Sequence, residues 1–204
     1  MLSVSIIRRE GVDLCEGQVL AKCCIDDVCA DIPVDASVQP GRYSLEEAEK
    51  DPTLSKCVYI LSKQRETGIK RIEVCKSRDA GRCTKKLAEY VVGKYGGPIL
   101  LVGFNHSVAS VLFSLSDGLV ADVEGRLMPY EFIDVSNPYQ WLAQAQVVVV
   151  APGALHHVDL AELVKKAKEM GKPVIIYGAL SMLYKDLGVE YFCPYGLRIG
   201  GKHI

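Results

Sequence analysis

The sequence predicts an α/β protein: a doubly wound Rossmann-like parallel sheet over residues 97–204, preceded by a small α+β domain with β-hairpins over residues 1–96. Two observations carry this. After Gly96-Gly97-Pro98, apolar β-branched runs of strand length alternate with helical patterns, and strands buried on both faces read as such continuous runs. Before that breaker the texture is charged, cysteine-bearing and alternating, so the domain boundary is placed at about residue 96.

Taken in order, Ser3–Arg8, Gln18–Ile25, Val28–Val34, Cys57–Ser62 and Ile69–Cys75 read as strands. Asp26-Asp27 and Glu66-Thr67-Gly68 read as hairpin loops between neighbouring strands. Ser44–Lys50 is a short helix, because Ser44 and Glu47 stand at capping-box spacing. From Arg82 to Tyr95, Leu87, Tyr90, Val91 and Val92 fit one helix face. In the second half the strands are Ile99–Gly103, Leu119–Val123, Glu131–Val135, Val147–Ala151, Val174–Tyr177 and Val189–Phe192. The helices between them are Ser107–Leu115, Pro138–Ala145, Val158–Met170 and Ser181–Leu187. Ser136-Asn137-Pro138 is a cap followed by Pro in the first turn. Leu160, Leu163, Val164 and Ala167 give one buried face, and Gly171-Lys172-Pro173 is the stop.

The 204 residues are 49% hydrophobic and 24% charged, an ordinary globular composition that excludes wholesale disorder. Lys plus Arg (24) nearly cancel Asp plus Glu (25), so net charge supplies no drive toward nucleic acid or an anionic membrane. Apolar runs such as Pro98–Val102 and Val147–Ala151 fall far short of the roughly 20 residues that span a bilayer. Arg8 and Arg9 follow the N-terminal apolar stretch where a secretory signal places its charges first, so the expected location is cytoplasmic. Only two Asn occur, which leans toward a thermophile.

Ligands of open α/β sheets bind beyond the carboxyl ends of the strands, where strand order reverses. The strand-to-helix junctions there are Gly103-Phe104-Asn105-His106-Ser107, Ala151-Pro152-Gly153-Ala154-Leu155-His156-His157, Gly178-Ala179-Leu180-Ser181 and Cys193-Pro194-Tyr195-Gly196. Each joins glycine to small or hydrogen-bonding residues at a helix entrance, where backbone N–H groups can hold an anion. Their plainer role is to turn the chain. Candidate ligand-binding residues are therefore Gly103, Asn105, His106, Ser107, Pro152, Gly153, Gly178 and Ser181. Asp122 and Glu124 end the second strand of the sheet, where a ribose-binding acid sits in dinucleotide folds; a solvated strand end is the alternative. No Gly-x-Gly-x-x-Gly or phosphate-loop Gly-x-x-x-x-Gly-Lys-Ser/Thr occurs, and no Gly-x-Ser-x-Gly elbow marks a nucleophile.

Candidate metal ligands are His106, His156, His157, Cys24 and Cys29, with a divalent transition metal as a candidate cofactor that the sequence does not identify; otherwise the histidines are exposed loop residues. If Asp26-Asp27 is a two-residue turn, Ile25 pairs with Val28 and Cys24 faces Cys29 in a non-hydrogen-bonded pair, where side chains approach most closely. Cys23 then points to the opposite face. The facing pair suits a cross-strand disulfide or half of a soft metal site, and buried small hydrophobes are the remaining reading.

The stretch from Pro98 to about Gly201 resembles the Rossmann-like domain of a prokaryotic heavy-metal chelation family common in archaea. The resemblance lies in layout: Val102-Gly103-Phe104 closing the first strand, Asp122-Val123-Glu124 closing the second, Leu142-Ala143-Gln144-Ala145-Gln146 leading into Val147–Val150, then Pro152-Gly153-Ala154-Leu155, Val174–Gly178 and Leu187–Phe192. In that family the loop after the valine-rich strand carries Thr-Gly and a downstream Asn-x-Thr. Here it reads Ala151-Pro152-Gly153 and His157-Val158-Asp159, a departure at the ligand site itself. The resemblance also implies an N-terminal α+β domain similar to that of enolase, and it implies metal chelation.

Three functional expectations follow. The first is a protein binding a metal ion or small anionic ligand in the cleft at the strand ends. The second is an enzyme using an adenine-containing cofactor, NAD(P) or S-adenosylmethionine, with Asp122 or Glu124 on the ribose. The third is a non-catalytic homo-oligomeric scaffold; a homodimer is the default state.

Overall fold

A computed structural model of the chain describes residues 1–8, 14, 17–73, 77–122, 132–134, 138–152, 154, 158–194, 198–199 and 202–203. It is a mixed α/β structure in two compact units, residues 1–80 with 194–204 and residues 81–193. No helix among the described residues is long and apolar enough to cross a membrane.

The first unit is built on a five-stranded sheet of order β4-β1-β2-β3-β5. Its strands are β1 (Leu2–Ile6), β2 (Gln18–Ile25), β3 (Val28–Asp35), β4 (Gly41–Tyr43) and β5 (Arg71–Ile72). β1 to β4 pair antiparallel, and β5 joins β3 in parallel. The β2–β3 turn is Asp26-Asp27, with Asp26 at φ 54°. Asp tolerates that left-handed conformation better than most residues. Alternation places Ala21, Cys23 and Ile25 of β2 beside Val28, Ala30 and Ile32 of β3 on one buried face.

Helices α1 (Leu45–Lys50) and α2 (Pro52–Glu66) follow β4. The α1 capping box forms as the sequence predicts: Ser44 N donates to Glu47 at 2.8 Å and Glu47 N to Ser44 Oγ at 3.1 Å. The strand expected at Cys57–Ser62 is instead the middle of α2. Asp51 caps it through Thr53 N and Leu54 N, with Pro52 in the first turn, the preferred start of a helix. Its buried Leu54, Cys57, Val58, Leu61 and Gln64 recur at helical spacing, so tertiary burial overrides the β-branched and aromatic character of Val58-Tyr59-Ile60. Glu66-Thr67-Gly68 is accordingly a helix end and not a hairpin loop; Gly68 has φ +73° there. At the other end of the chain, β12 (Arg198–Ile199) and β13 (Lys202–His203) pair as an antiparallel ribbon.

The second unit is a six-stranded, wholly parallel sheet of order β11-β10-β9-β6-β7-β8. These are β6 (Ile99–Val102), β7 (Gly118–Asp122), β8 (Phe132–Asp134), β9 (Val147–Val150), β10 (Val174–Tyr177) and β11 (Glu190–Phe192). Renumbered from β6, the order is 3-2-1-4-5-6, the doubly wound arrangement whose reversal lies between β6 and β9. Alternate strand residues feed two cores. On one face Leu100, Val102, Val148, Val150 and Ile176 meet Leu160, Leu163, Val164 and Ala167 of α5 (Leu160–Glu169). On the other, Ile99, Leu101, Val147, Val149 and Ile175 meet α3 (Ser77–Tyr95) through Leu87, Ala88 and Val91, and α4 (His106–Leu115) through Val108, Ala109 and Leu112. Packing of Leu87, Ala88 and Val91 into this core explains why the unit begins within α3, upstream of the Gly96-Gly97-Pro98 breaker. The segments expected as helices at Pro138–Ala145 and Ser181–Leu187 are 3-10 helices, Pro138–Trp141 and Ala179–Leu187. The Ser136-Asn137 cap lies outside the described residues.

Candidate functional site

The strand order reverses between β6 and β9, and in this fold class ligands bind at the carboxyl ends of the strands at such a reversal. Gly103 follows β6 at φ +85°. A Cβ at this position would stand 2.6 Å from Ala154 Cβ and 3.1 Å from Ala151 Cβ, so the β6 and β9 loops touch at a point only glycine permits. Gly178 after β10 has φ +87°, and its Cβ would lie 2.7 Å from Pro152 Cγ. The two glycines therefore knit the loops after β6, β9 and β10 into one rim. Backbone bonds continue it: Gly103 N donates to Ala121 O at 2.7 Å, Ala151 N to Val102 O at 2.8 Å and Gly178 N to Phe192 O at 2.9 Å.

Asp122, at the end of β7, accepts a hydrogen bond from Phe104 N through its carboxylate. The acid expected to meet a ribose thus fixes the β6–α4 turn, a contact the sequence did not suggest. Asn105 is the N-cap of α4, accepting from Val108 N at 2.9 Å, so its side-chain oxygen is engaged within the helix. His106 and Ser107, the first two residues of α4, are exposed. The His106 ring lies edge-on to Phe104, centroids 6.2 Å apart. Ser181 is fully buried in the 3-10 helix after β10, and its Oγ has no hydrogen-bond partner among the described residues. A buried hydroxyl left without a partner is costly in a folded protein and is a place to look for a ligand or water. Glu124, Gly153, His156 and His157 lie outside the described residues.

The structure brings together Gly103, Asn105, His106, Ser107 and Asp122 around the first loop, and Pro152 with Gly178 around the second. Cys24 and Cys29 belong to the first unit. Their sulfurs form a disulfide in the first unit, with Cα atoms 4.2 Å apart. The register is Ile25 with Val28 and Cys24 with Cys29, as the two-residue turn requires. Cys29 N donates away from β2 to Lys70 O, and Cys29 O accepts from Gln64 Nε2, both at 2.9 Å. The facing pair is therefore free of mutual backbone bonds, the geometry in which side chains come closest. With each sulfur bound to the other, the disulfide replaces the metal-ligand reading of these cysteines. Among the described residues no three His, Cys, Asp or Glu side chains are grouped to hold a metal ion.

A pocket the sequence did not indicate, of about 230 Å³, opens at the amino ends of β10 and β11, lined by Val164, Lys168, Lys172, Val174, Gly188 and Glu190 among others. Its charged groups are largely satisfied within the unit. Lys168 Nζ donates to Leu187 O at 2.7 Å, and Glu190 accepts from Lys94 Nζ at 3.0 Å and from the Tyr95 hydroxyl. Desolvation nevertheless holds the Glu190 carboxyl above its ordinary range.

No protein-family model and no curated protein matches the chain. Among solved structures, a DUF364-family protein of unknown function from Pyrococcus horikoshii is similar over 91% of this chain and 76% of its own, with 10% identity and a TM-score of 0.46. A DUF364-family protein of unknown function from Desulfitobacterium hafniense DCB-2 is similar over 86% and 75%, with 12% identity and a TM-score of 0.49. The heavy-metal chelation resemblance finds no matching family model, and these two neighbours are proteins of unknown function.

Proposed function

We propose that the second unit binds a small anionic organic ligand at the carboxyl ends of β6, β9 and β10. The observation that carries this reading is the strand-order reversal between β6 and β9, with the amino end of α4 exposed at His106 and Ser107 beside it. A helix amino end favours negative charge through the helix dipole. The buried Ser181 hydroxyl supports it as a further polar group at the same ends of the strands. A metal-only ligand has less support, because Cys24 and Cys29 are spent on a disulfide.

One observation favours a second reading, an adenine-containing cofactor: the 3-2-1-4-5-6 strand order with Asp122 at the end of the second strand. Against it, the Asp122 carboxylate already accepts from Phe104 N. Isothermal titration with phosphate, AMP, NAD and zinc separates the readings. The proposal expects a phosphate-bearing compound to bind with a Kd below about 1 mM, and a His106→Ala, Ser107→Ala double variant to bind it more weakly. Preference for NAD over AMP and phosphate would favour the cofactor reading. Zinc binding alone, or no binding by any compound, would overturn the proposal.

A further inference from the structure

The first unit holds a second cysteine pair on the other face of β2. Cys23 and Cys57 are both fully buried, on β2 and α2, and the Cys23 thiol donates to Cys57 Sγ at a separation of only 2.9 Å. That is closer than unbonded sulfurs ordinarily stand, while a disulfide brings them to about 2.05 Å. A shared metal ion is the wrong explanation for the approach. Tetrahedral thiolate ligands with metal–sulfur bonds of about 2.3 Å hold their sulfurs about 3.8 Å apart, and a linear pair holds them farther. The neighbouring Cys24 cannot compete for either sulfur, because it points to the opposite face of the strand and is already bonded to Cys29.

We propose that Cys23 and Cys57 are an oxidation site that closes a second disulfide, fastening β2 to α2 across the core as Cys24–Cys29 fastens β2 to β3 on the opposite face. The oxidant is a low-molecular-weight disulfide. A thiolate of the pair attacks it, releasing one small thiol and leaving a mixed disulfide. The second cysteine thiolate then attacks the protein sulfur of that mixed disulfide, expelling the other small thiol. Two protein thiols are oxidised and one small disulfide is reduced to two thiols, with both protons transferred to the leaving thiolates or to solvent. The hydrogen bond to Cys57, and then burial, raise the Cys23 thiol far above its ordinary range, so the folded protein presents little thiolate there. The bond therefore forms while the unit is folding or locally open, and it resists reduction once the core has closed over it.

The test uses the full chain. A Cys24→Ser, Cys29→Ser variant and the unsubstituted protein are each refolded in a mixture of oxidised and reduced glutathione. Both are quenched in acid, alkylated in denaturant and mapped as tryptic peptides, with cleavage after Lys22, Arg42 and Lys56 placing positions 23, 24 and 29 on one peptide and Cys57 on another. The expected result is the peptide beginning at Cys23 linked to the peptide beginning at Cys57 in both proteins. When the native unsubstituted protein is titrated with reductant, Cys24–Cys29 should open at least about tenfold faster than the buried bond. Cys23 and Cys57 recovered fully alkylated in both proteins, or Cys57 linked to a different cysteine, would overturn the proposal. Equal reduction rates for the two bonds would also contradict it. Fragmentation of the linked peptides from the unsubstituted protein keeps the test decisive if the double variant does not fold.

Discussion

Gly103→Ala tests the geometry of the rim directly, because its cost can be worked from two separate contributions. The residue has φ +85°, where an L side chain costs about 1–2 kcal/mol. Its new methyl would also stand 2.6 Å from Ala154 Cβ and 3.1 Å from Ala151 Cβ, where carbons at rest stand about 3.5–4.0 Å apart. Relieving that overlap requires the β9 loop to shift, an overpacking cost of about 1–3 kcal/mol. Lower entropy of the unfolded chain returns about 0.4–1 kcal/mol. The expected net loss is about 1–4.6 kcal/mol, centred near 3. Gly171→Ala is the control: φ is +66° but nothing lies within 4 Å of its Cβ, so it should lose only about 1 kcal/mol. Denaturant unfolding followed by fluorescence of Trp141 is the assay, since this sole tryptophan packs against the core of the second unit. Equal losses in the two variants would refute the close approach of the β6 and β9 loops.

Three further outcomes are expected. Reducing Cys24–Cys29, which closes a loop of sequence separation 5, should lower stability by about 2 kcal/mol on loop-entropy grounds, measured by denaturation of the first unit with and without reductant. An unchanged midpoint would contradict it. Asp122→Ala removes the acceptor of Phe104 N and should cost about 1–3 kcal/mol, whereas Asp122→Asn keeps an acceptor and should lose less; Trp141 fluorescence again reads the difference. With Cys23 and Cys57 reduced, stability should fall as pH rises above about 8.5, where the unfolded thiol ionises while folded Cys23 keeps its proton. Oxidising the pair should remove that slope, and a slope of the opposite sign in the reduced protein would refute the buried-thiol assignment.

What the sequence made legible follows from the range of the forces involved. The parallel sheet was readable because runs such as Val147–Val150 and Val174–Tyr177 are buried on both faces and leave no helical alternative of adequate length. The facing of Cys24 and Cys29 was readable because a two-residue turn fixes register locally, whereas the choice between disulfide, metal ligand and buried thiols came only with the folded structure. α2 was misread because Val58-Tyr59-Ile60 looks strand-like in isolation; the Asp51-Pro52 start and the Leu54, Val58, Leu61 spacing were the opposing signals. Cys57 meeting Cys23 across a separation of 34 residues depends on tertiary packing of that helix, which no local pattern contains. At the rim, glycines and a helix entrance marked the loops that follow β6, β9 and β10. The Phe104–Asp122 bond and the fit of Ala154 against Gly103 depend on strand order, which became visible only in the folded sheet.

The most direct measurement of the central proposal is amide chemical-shift mapping during titration with AMP and, separately, inorganic phosphate. The account predicts saturable shifts centred on Gly103, Phe104, His106, Ser107 and Gly178, at the carboxyl ends of β6 and β10. Shifts centred instead on Lys168, Lys172, Gly188 and Glu190, at the amino-end pocket, would contradict it, as would no saturable shift from either compound.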